Sequence, residues 1–205
     1  MVVVAAWFAL PTIASACDMK IGFLFMGIPS SSWSVGGGLN VQPGSDGDDT
    51  YWAANVDAAV ALGERAVVIP GIGYCTRTGD DAEGEIVFGG GLGFNLWNNA
   101  DGTVMVNLQG AVTHVSEGDY SAQSIPVSAA AMFEAGESAS VFAGGGLQFF
   151  RDSFDGDSES DNDPFVYGGV AFGSSVAIQV GGSLRFGEHA NDFAFNIGAS
   201  IPMGG

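Results

Sequence analysis

Side chains of two kinds alternate along this chain with a period of two, segment after segment, and that alternation restricts the fold more than any other feature. In residues 33–41 the odd positions hold Trp33, Val35, Gly37, Leu39 and Val41, and the even ones Ser34, Gly36, Gly38 and Asn40. Successive side chains of a β-strand point to opposite faces, so each set lines one face. The division recurs with Trp52, Ala54, Val56, Ala58, Val60 and Leu62 against Asn55 and Asp57. Ile86, Phe88, Leu92, Phe94 and Leu96 oppose a glycine-rich face ending in Asn95. Further on, Val104, Val106, Leu108 and Val112 oppose Asn107, Gln109 and Thr113, and Ile125, Val127 and Phe133 oppose Ser124, Ser128 and Ala130. Val141, Leu147 and Phe149 oppose Ser140, Gly144, Gly146 and Gln148; Ile178, Val180 and Leu184 oppose Gln179, Ser183 and Arg185; Phe193, Phe195, Ile197 and Ile201 oppose Asn196, Gly198 and Ser200. Two more segments, residues 66–74 and 165–172, are apolar without declaring which face points where.

The character of the second face decides between the folds that alternation permits. A soluble β-sandwich turns that face to water and lines it with charged residues. Here it carries Gly, Ala, Ser, Asn and Gln, in a chain with 47% hydrophobic but only 14% charged residues and 33 glycines in 205. Small uncharged side chains suit the inside of a narrow barrel, and Val, Leu, Ile and Phe suit hydrocarbon outside it. A lipocalin-like barrel would reverse the two faces, and a soluble secreted β-sandwich is the runner-up. The connections point the same way. Short ones at residues 63–64, 98–102, 134–138 and 173–175 alternate with longer acidic ones at 43–49, 76–84, 116–123, 151–164 and 187–191. Short turns at one end and long loops at the other describe a closed up-and-down antiparallel transmembrane β-barrel, all-β, of about ten strands, with eight as the alternative. Trp33, Tyr51, Trp52, Trp97, Phe149 and Phe186 fall near strand ends, where interfacial aromatic girdles sit.

The net charge of −18, with five Lys and Arg, excludes nucleic-acid binding through basic patches. The acids gather in the predicted loops, for example Asp46, Asp48 and Asp49, or Asp155, Asp157, Glu159, Asp161 and Asp163. Residues 151–164 have too little apolar content to offset ordering and are predicted to be a mobile extracellular loop. Their carboxylates lack the glycine and glutamate positions of a calcium loop: Ser160 and Val166 stand there. Residues 1–16 are apolar and end Ala14-Ser15-Ala16, a signal-peptide pattern without a basic start. That leaves residues 17–31 as an N-terminal periplasmic or luminal segment and 32–205 as the barrel domain. Residues 21–28 are too short for a spanning helix. Cys17 and Cys75 make no disulfide framework, and Cys17 is read as unmodified, with lipidation as the alternative.

Three strands carry one motif: Val35-Gly-Gly-Gly-Leu39, Phe88-Gly-Gly-Gly-Leu92 and Ala143-Gly-Gly-Gly-Leu147, with Ser124-Ile-Pro-Val127 opening another. With these, residues 32–203 resemble the small OmpA-like and porin-like outer-membrane β-barrel families. The resemblance implies location in the bacterial outer membrane, contact with outer-membrane lipid and lipopolysaccharide, and insertion by the barrel-assembly machinery. Such barrels usually end in an aromatic residue, whereas this chain ends Ile201-Pro-Met-Gly-Gly205. His114 and Ser116 resemble the His-x-Ser of lipid A deacylase barrels, without the glutamate that orients the histidine. His189 with Glu188 and Asp192 resembles the omptin couple, without the paired aspartates. No catalytic, cofactor-binding or metal-ligating residue is assigned, and an enzyme is not expected. The predicted function is a structural or surface-interaction role with acidic extracellular loops, where divalent cations are possible partners. The alternative is a narrow passive porin-like channel, with Arg77, Arg151, Arg185 and Glu85 as a charged constriction at its outer mouth.

Overall fold

The computed structural model describes residues 7–14, 19–26, 32–43, 50–78, 84–117, 120–136, 138–155, 157–173, 175–187 and 192–203. The alternating segments become strands β3 (Trp33–Pro43), β4 (Thr50–Ala61), β5 (Ala66–Arg77), β6 (Glu85–Asn98), β7 (Val104–Glu117), β8 (Tyr120–Glu134), β9 (Ala139–Phe154), β10 (Asp157–Phe172), β11 (Ala177–Arg185) and β12 (Asp192–Met203). Each pairs antiparallel with the next, and β12 returns to β3, with Phe195 opposite Val41 and Met203 opposite Trp33. The result is a closed barrel of ten strands. Closure removes the unpaired edges that a membrane cannot satisfy.

The faces fall as the alternation predicts. Val35, Leu39, Val56, Phe88, Leu92, Val127, Leu147, Val170 and Ile197 point outward and are exposed, while Ser34, Asn40, Gln109, Ser124, Ser128, Gln148, Gln179 and Asn196 point inward and are buried. Val56 is 57% exposed; Asn55 and Asp57, its chain neighbours, are 6% and 4%. An outer surface of this composition would be costly in water and costs nothing in hydrocarbon. Trp33, Trp97, Phe133 and Phe172 ring the short-turn end; Trp52, Phe149, Phe186 and Phe193 ring the other, as girdles require. A register shift between Asn95 and Trp97 turns both Leu96 and Trp97 outward. Tyr51 departs from the expectation: it shares its face with Ala53 and Asn55, opposite Gln42, and points inward.

Two breaks in the ladders fall at prolines. Pairing between β4 and β5 breaks around Pro70, and that between β7 and β8 around Pro126, because neither has an N–H to donate. The short turns appear at residues 62–65, 99–103, 135–138 and 173–176.

Two long loops do not exist as expected. Residues 151–164 are not a loop: β9 continues to Phe154 and β10 starts at Asp157, with Phe154 opposite Asp157 and Arg151 opposite Ser160. Asp155 takes a left-handed φ of 50° and is followed by Gly156, the Asp-Gly pair that favours a tight hairpin. Likewise β7 reaches Glu117 and β8 starts at Tyr120, opposite each other, so residues 116–123 are mostly strand. On its other side β9 pairs with β8 from Tyr120 opposite Phe154 onward. Backbone bonds to β9, which itself pairs with both β8 and β10, order a ribbon that apolar burial could not. The loops at 43–49, 76–84 and 187–191 keep their places between strands; their central residues lie outside the described ones, as do His189 and Glu188.

Residues Trp7–Ala14 (β1) and Met19–Met26 (β2) form a separate two-stranded antiparallel sheet, with Trp7 opposite Met26 and Ala14 opposite Met19.

Candidate functional site: the lumen and its outer mouth

The inner wall divides by chemistry. Near the short turns, Ala59 on β4, Val67 and Ile69 on β5, Met105 on β7, Met132 on β8 and Phe142 on β9 point inward. Phe165 and Tyr167 on β10 extend this apolar cluster toward mid-height. Neither ambiguous segment follows the rule that the inner face is small and polar. In residues 66–74, Val67 and Ile69 face inward while Pro70, Ile72 and Tyr74 face outward. In residues 165–172, the two aromatic rings face inward and Val166 and Val170 face outward.

Glycines on the next strand make room for these rings. Phe165 lies opposite Gly146, Tyr167 opposite Gly144, and Phe142 opposite Gly169. A Cβ on Gly144 would come within 2.7 Å of the Tyr167 hydroxyl, and one on Gly169 within 2.7 Å of Phe142 Cζ. This gives the Ala143-Gly-Gly-Gly-Leu147 motif a steric role: its first glycine accommodates the Tyr167 ring, and its third lies close against the Val127 carbonyl and Ser128 of β8. Phe165 and Tyr167 stack with centroids 5.9 Å apart, and Phe142 lies tilted 6.5 Å from Tyr167. On the opposite, outward side, Pro70, Gly90, Leu92, Val112 and Ile125 line a shallow apolar depression that faces lipid and carries no polar chemistry.

Above the apolar cluster the inner wall is hydrogen-bonded. Gln109 Nε2 donates to Ser128 Oγ at 3.2 Å and to the Tyr167 hydroxyl, tying β7, β8 and β10 together. Gln148 Nε2 donates to Ser124 Oγ at 2.7 Å, and Asn55 Nδ2 to Asp57 Oδ2 at 3.0 Å. At the outer mouth Arg185 Nε lies 3.5 Å from Asp163 Oδ2, and its guanidinium sits 5.1 Å from the Phe150 ring centroid. Sequence reasoning missed this cluster. Asp163 reads as loop acid, and nothing local reveals that β9–β10 pairing brings it opposite Gln148, in line with the wall.

The expected constriction does not assemble as a set. Arg185 is buried on the inner face, and Glu85 lies inward opposite Cys75. Arg151, however, lies on the outward face opposite Gln123 and Ser160, because residue 150 is inward. Arg77 is at the exposed end of β5. His114 and Ser116 share the outward face, with Phe88 and Gln123 across from His114 and Ser121 across from Ser116. That geometry gives the histidine an aromatic and an amide for neighbours. Glu134 closes the far end of β8. Among the described residues no group of three or more His, Cys, Asp and Glu could hold a metal ion. Cys75 is fully buried on the inner face and disulfide-bonded; Cys17 lies outside the described residues.

Closed antiparallel barrels with an apolar belt are the β-structures that span bacterial outer membranes, and this chain is an outer-membrane β-barrel on that architecture. No family model matches the chain, and neither does any curated protein. Among solved structures it is similar to the N-terminal β-barrel domain of OprF from Pseudomonas aeruginosa, at 10% identity over 82% of this chain and 96% of that one, TM-score 0.43. It is also similar to the Yersinia pestis outer membrane protein Ail, at 14% identity over 84% and 99%, TM-score 0.43. Neisserial surface protein A matches at 12% identity over 84% and 98%, TM-score 0.42. These are likenesses of barrel shape.

Proposed function

We propose that this outer-membrane barrel works at the cell surface, as a structural and interaction protein, and does not pass solutes. The observation that carries the reading is the filled inner wall. Phe142, Gln109, Gln148 and Gln179 are each no more than 1% exposed, and the aromatic and amide side chains interlock across β7 to β10. What the barrel offers instead is the ribbon of β8, β9 and β10 beyond the outer girdle, carrying Asp152, Asp155, Asp157, Glu159 and Asp161. Such a comb of carboxylates suits divalent cations that bridge to the phosphates of lipopolysaccharide. Export through cleavage after Ala16 and insertion by the barrel-assembly machinery complete the reading.

The test is planar-bilayer conductance of the purified full chain, together with its gel mobility. A surface protein gives a band that runs faster unboiled than boiled and no conductance steps. Steady steps would instead support the narrow passive channel, which the unpaired luminal atoms of Gln179 and Asn196 favour because such groups suit water. Recovery as a soluble monomer without detergent would overturn both.

A further inference from the structure

Above the apolar belt, the register of β7 to β10 assembles two rows of hydrogen-bonding side chains on the face that looks away from the barrel axis. His114 lies opposite Gln123, Gln123 opposite Arg151, and Arg151 opposite Ser160, one side chain from each strand. The next row out is all serine: Ser116 opposite Ser121, Ser121 opposite Ser153, and Ser153 opposite Ser158. Strands about 4.8 Å apart make each row about 14 Å wide, and two residues of rise set the rows about 7 Å apart. Directly below, Ile125 lies opposite Phe149 of the outer girdle, both outward and exposed. The array therefore begins where hydrocarbon gives way to headgroups.

No carboxylate enters it. Asp157-Ser-Glu-Ser-Asp-Asn-Asp163 alternates acids with uncharged side chains, so period two sorts them by face. Asp157, Glu159, Asp161 and Asp163 stand in line with the buried Phe165, and Asp152 in line with the buried Gln148. Water accepts these side chains on either face, so folding does not require the sorting. It even sets Glu159 directly opposite Asp152, a like-charge pair that works against strand pairing. A negative layer on the outward side accounts for it, and the phosphates of the outer leaflet lie at that level. Arg151 is exposed there, one of five Lys and Arg in a chain of net charge −18. In the same row, His114 Nδ1 is shielded from solvent and has no hydrogen-bond partner among the described residues. A polar atom left in that state calls for a ligand.

We propose that this face binds the phosphorylated sugar headgroup of a lipid in the outer leaflet, lipopolysaccharide being the lipid of that class. Arg151 meets a phosphate with its planar fork of donors. His114 and Gln123 extend the row, and the serines take sugar hydroxyls, for which a hydroxyl is both donor and acceptor. Width selects the class: a lone phosphate occupies Arg151 and one neighbour, whereas four polar side chains abreast match a disaccharide. The site rests on the surface role proposed above. It adds a direct contact to the cation-bridged one, on the opposite face of the ribbon from the carboxylates.

The test is native mass spectrometry of the full-length protein purified from outer membranes, delipidated in detergent micelles and titrated with lipid A carrying both phosphates. EDTA is present, so that divalent cations cannot bridge. One lipid should bind per barrel. Arg151→Gln should weaken binding about tenfold or more, and Arg151→Lys less, because it keeps the charge and loses the fork. Ser121→Ala combined with Ser153→Ala should weaken it about threefold. Arg65→Gln, the same loss of charge in the turn at the other end of the barrel, should change nothing. Heat-modifiable mobility checks that each variant is folded. Lipid A stripped of its phosphates should bind no better to the parent than the intact lipid binds to Arg151→Gln. No bound lipid, equal binding by parent and Arg151→Gln, or displacement by inorganic phosphate at the lipid's own concentration would overturn the site. Lipid bound only without EDTA would also overturn it, and would leave the carboxylate comb and the surface role standing. The surface role falls separately, on steady conductance steps, whatever the lipid does.

Discussion

Strand β10 crosses two environments within sixteen residues, and its two parts obey different rules. From Phe165 to Phe172 it alternates Phe165, Tyr167 and Ala171 inward with Val166, Val170 and Phe172 outward. From Asp157 to Asn162 it has no apolar residue, every side chain is exposed, and the ladder to β9 continues without a break. Inside the membrane each face must match a medium, hydrocarbon or packed lumen. Beyond it water accepts either face, and strand order rests on backbone bonds and on the left-handed turn residue Asp155. Alternation is therefore a signature of the wall and not of the strand.

The largest expected effect separates the two parts by side of the membrane. A cysteine at Ser158 should label fully with an impermeant maleimide on intact cells, and one at Asp101, in the turn at 99–103, only after the cells are opened. The reverse pattern would invert the barrel. Next comes burial in lipid: Val166→Arg should lower stability by about 2–4 kcal/mol in urea refolding into bilayers. The same charge at the outer part, Glu159→Arg, should stay within about 0.5 kcal/mol. Equal damage from the two would mean that the ribbon is as environment-bound as the wall.

Where the two parts meet, Arg185→Met removes the guanidinium 3.5 Å from the Asp163 carboxylate and should cost about 1.5–3 kcal/mol. Adding Asp163→Asn should recover part of that loss; a double variant that merely sums the single losses would show that the pair is not coupled. A smaller effect is expected at the ring-and-glycine contact. Gly169→Ala places a methyl against the Val180 carbonyl oxygen and 2.7 Å from Phe142 Cζ, and should cost about 1–3 kcal/mol in the same refolding assay. No change there would mean that the wall yields as freely as the ribbon.

Much of the wall was legible because its signal is local. Val56 against Asn55 and Asp57, or Leu147 against Gln148, can be sorted from neighbours in sequence, and the structure sorts them the same way. What was not legible is where alternation changes meaning. The sequence of residues 165–172 leaves the faces of Phe165 and Tyr167 open until pairing sets them inward, opposite Gly146 and Gly144. Arg151 looks like a mouth residue until register puts Phe150 on the inner face. The ribbon was hidden because its residues predict nothing by themselves, although Asp155-Gly156 was a turn signal in plain view.

By itself the sequence determined that this chain closes a barrel, which face meets lipid, and where the wall ends in girdles. Those follow from side-chain period and from the price hydrocarbon sets on charge, both local properties of a strand. The tertiary structure alone decided how far β8, β9 and β10 run past the girdle, which rings meet which glycines, and what pairs at the mouth. Each of these depends on the register between strands. Register is set by turns, prolines and packing summed around the whole circle, and no single segment carries it.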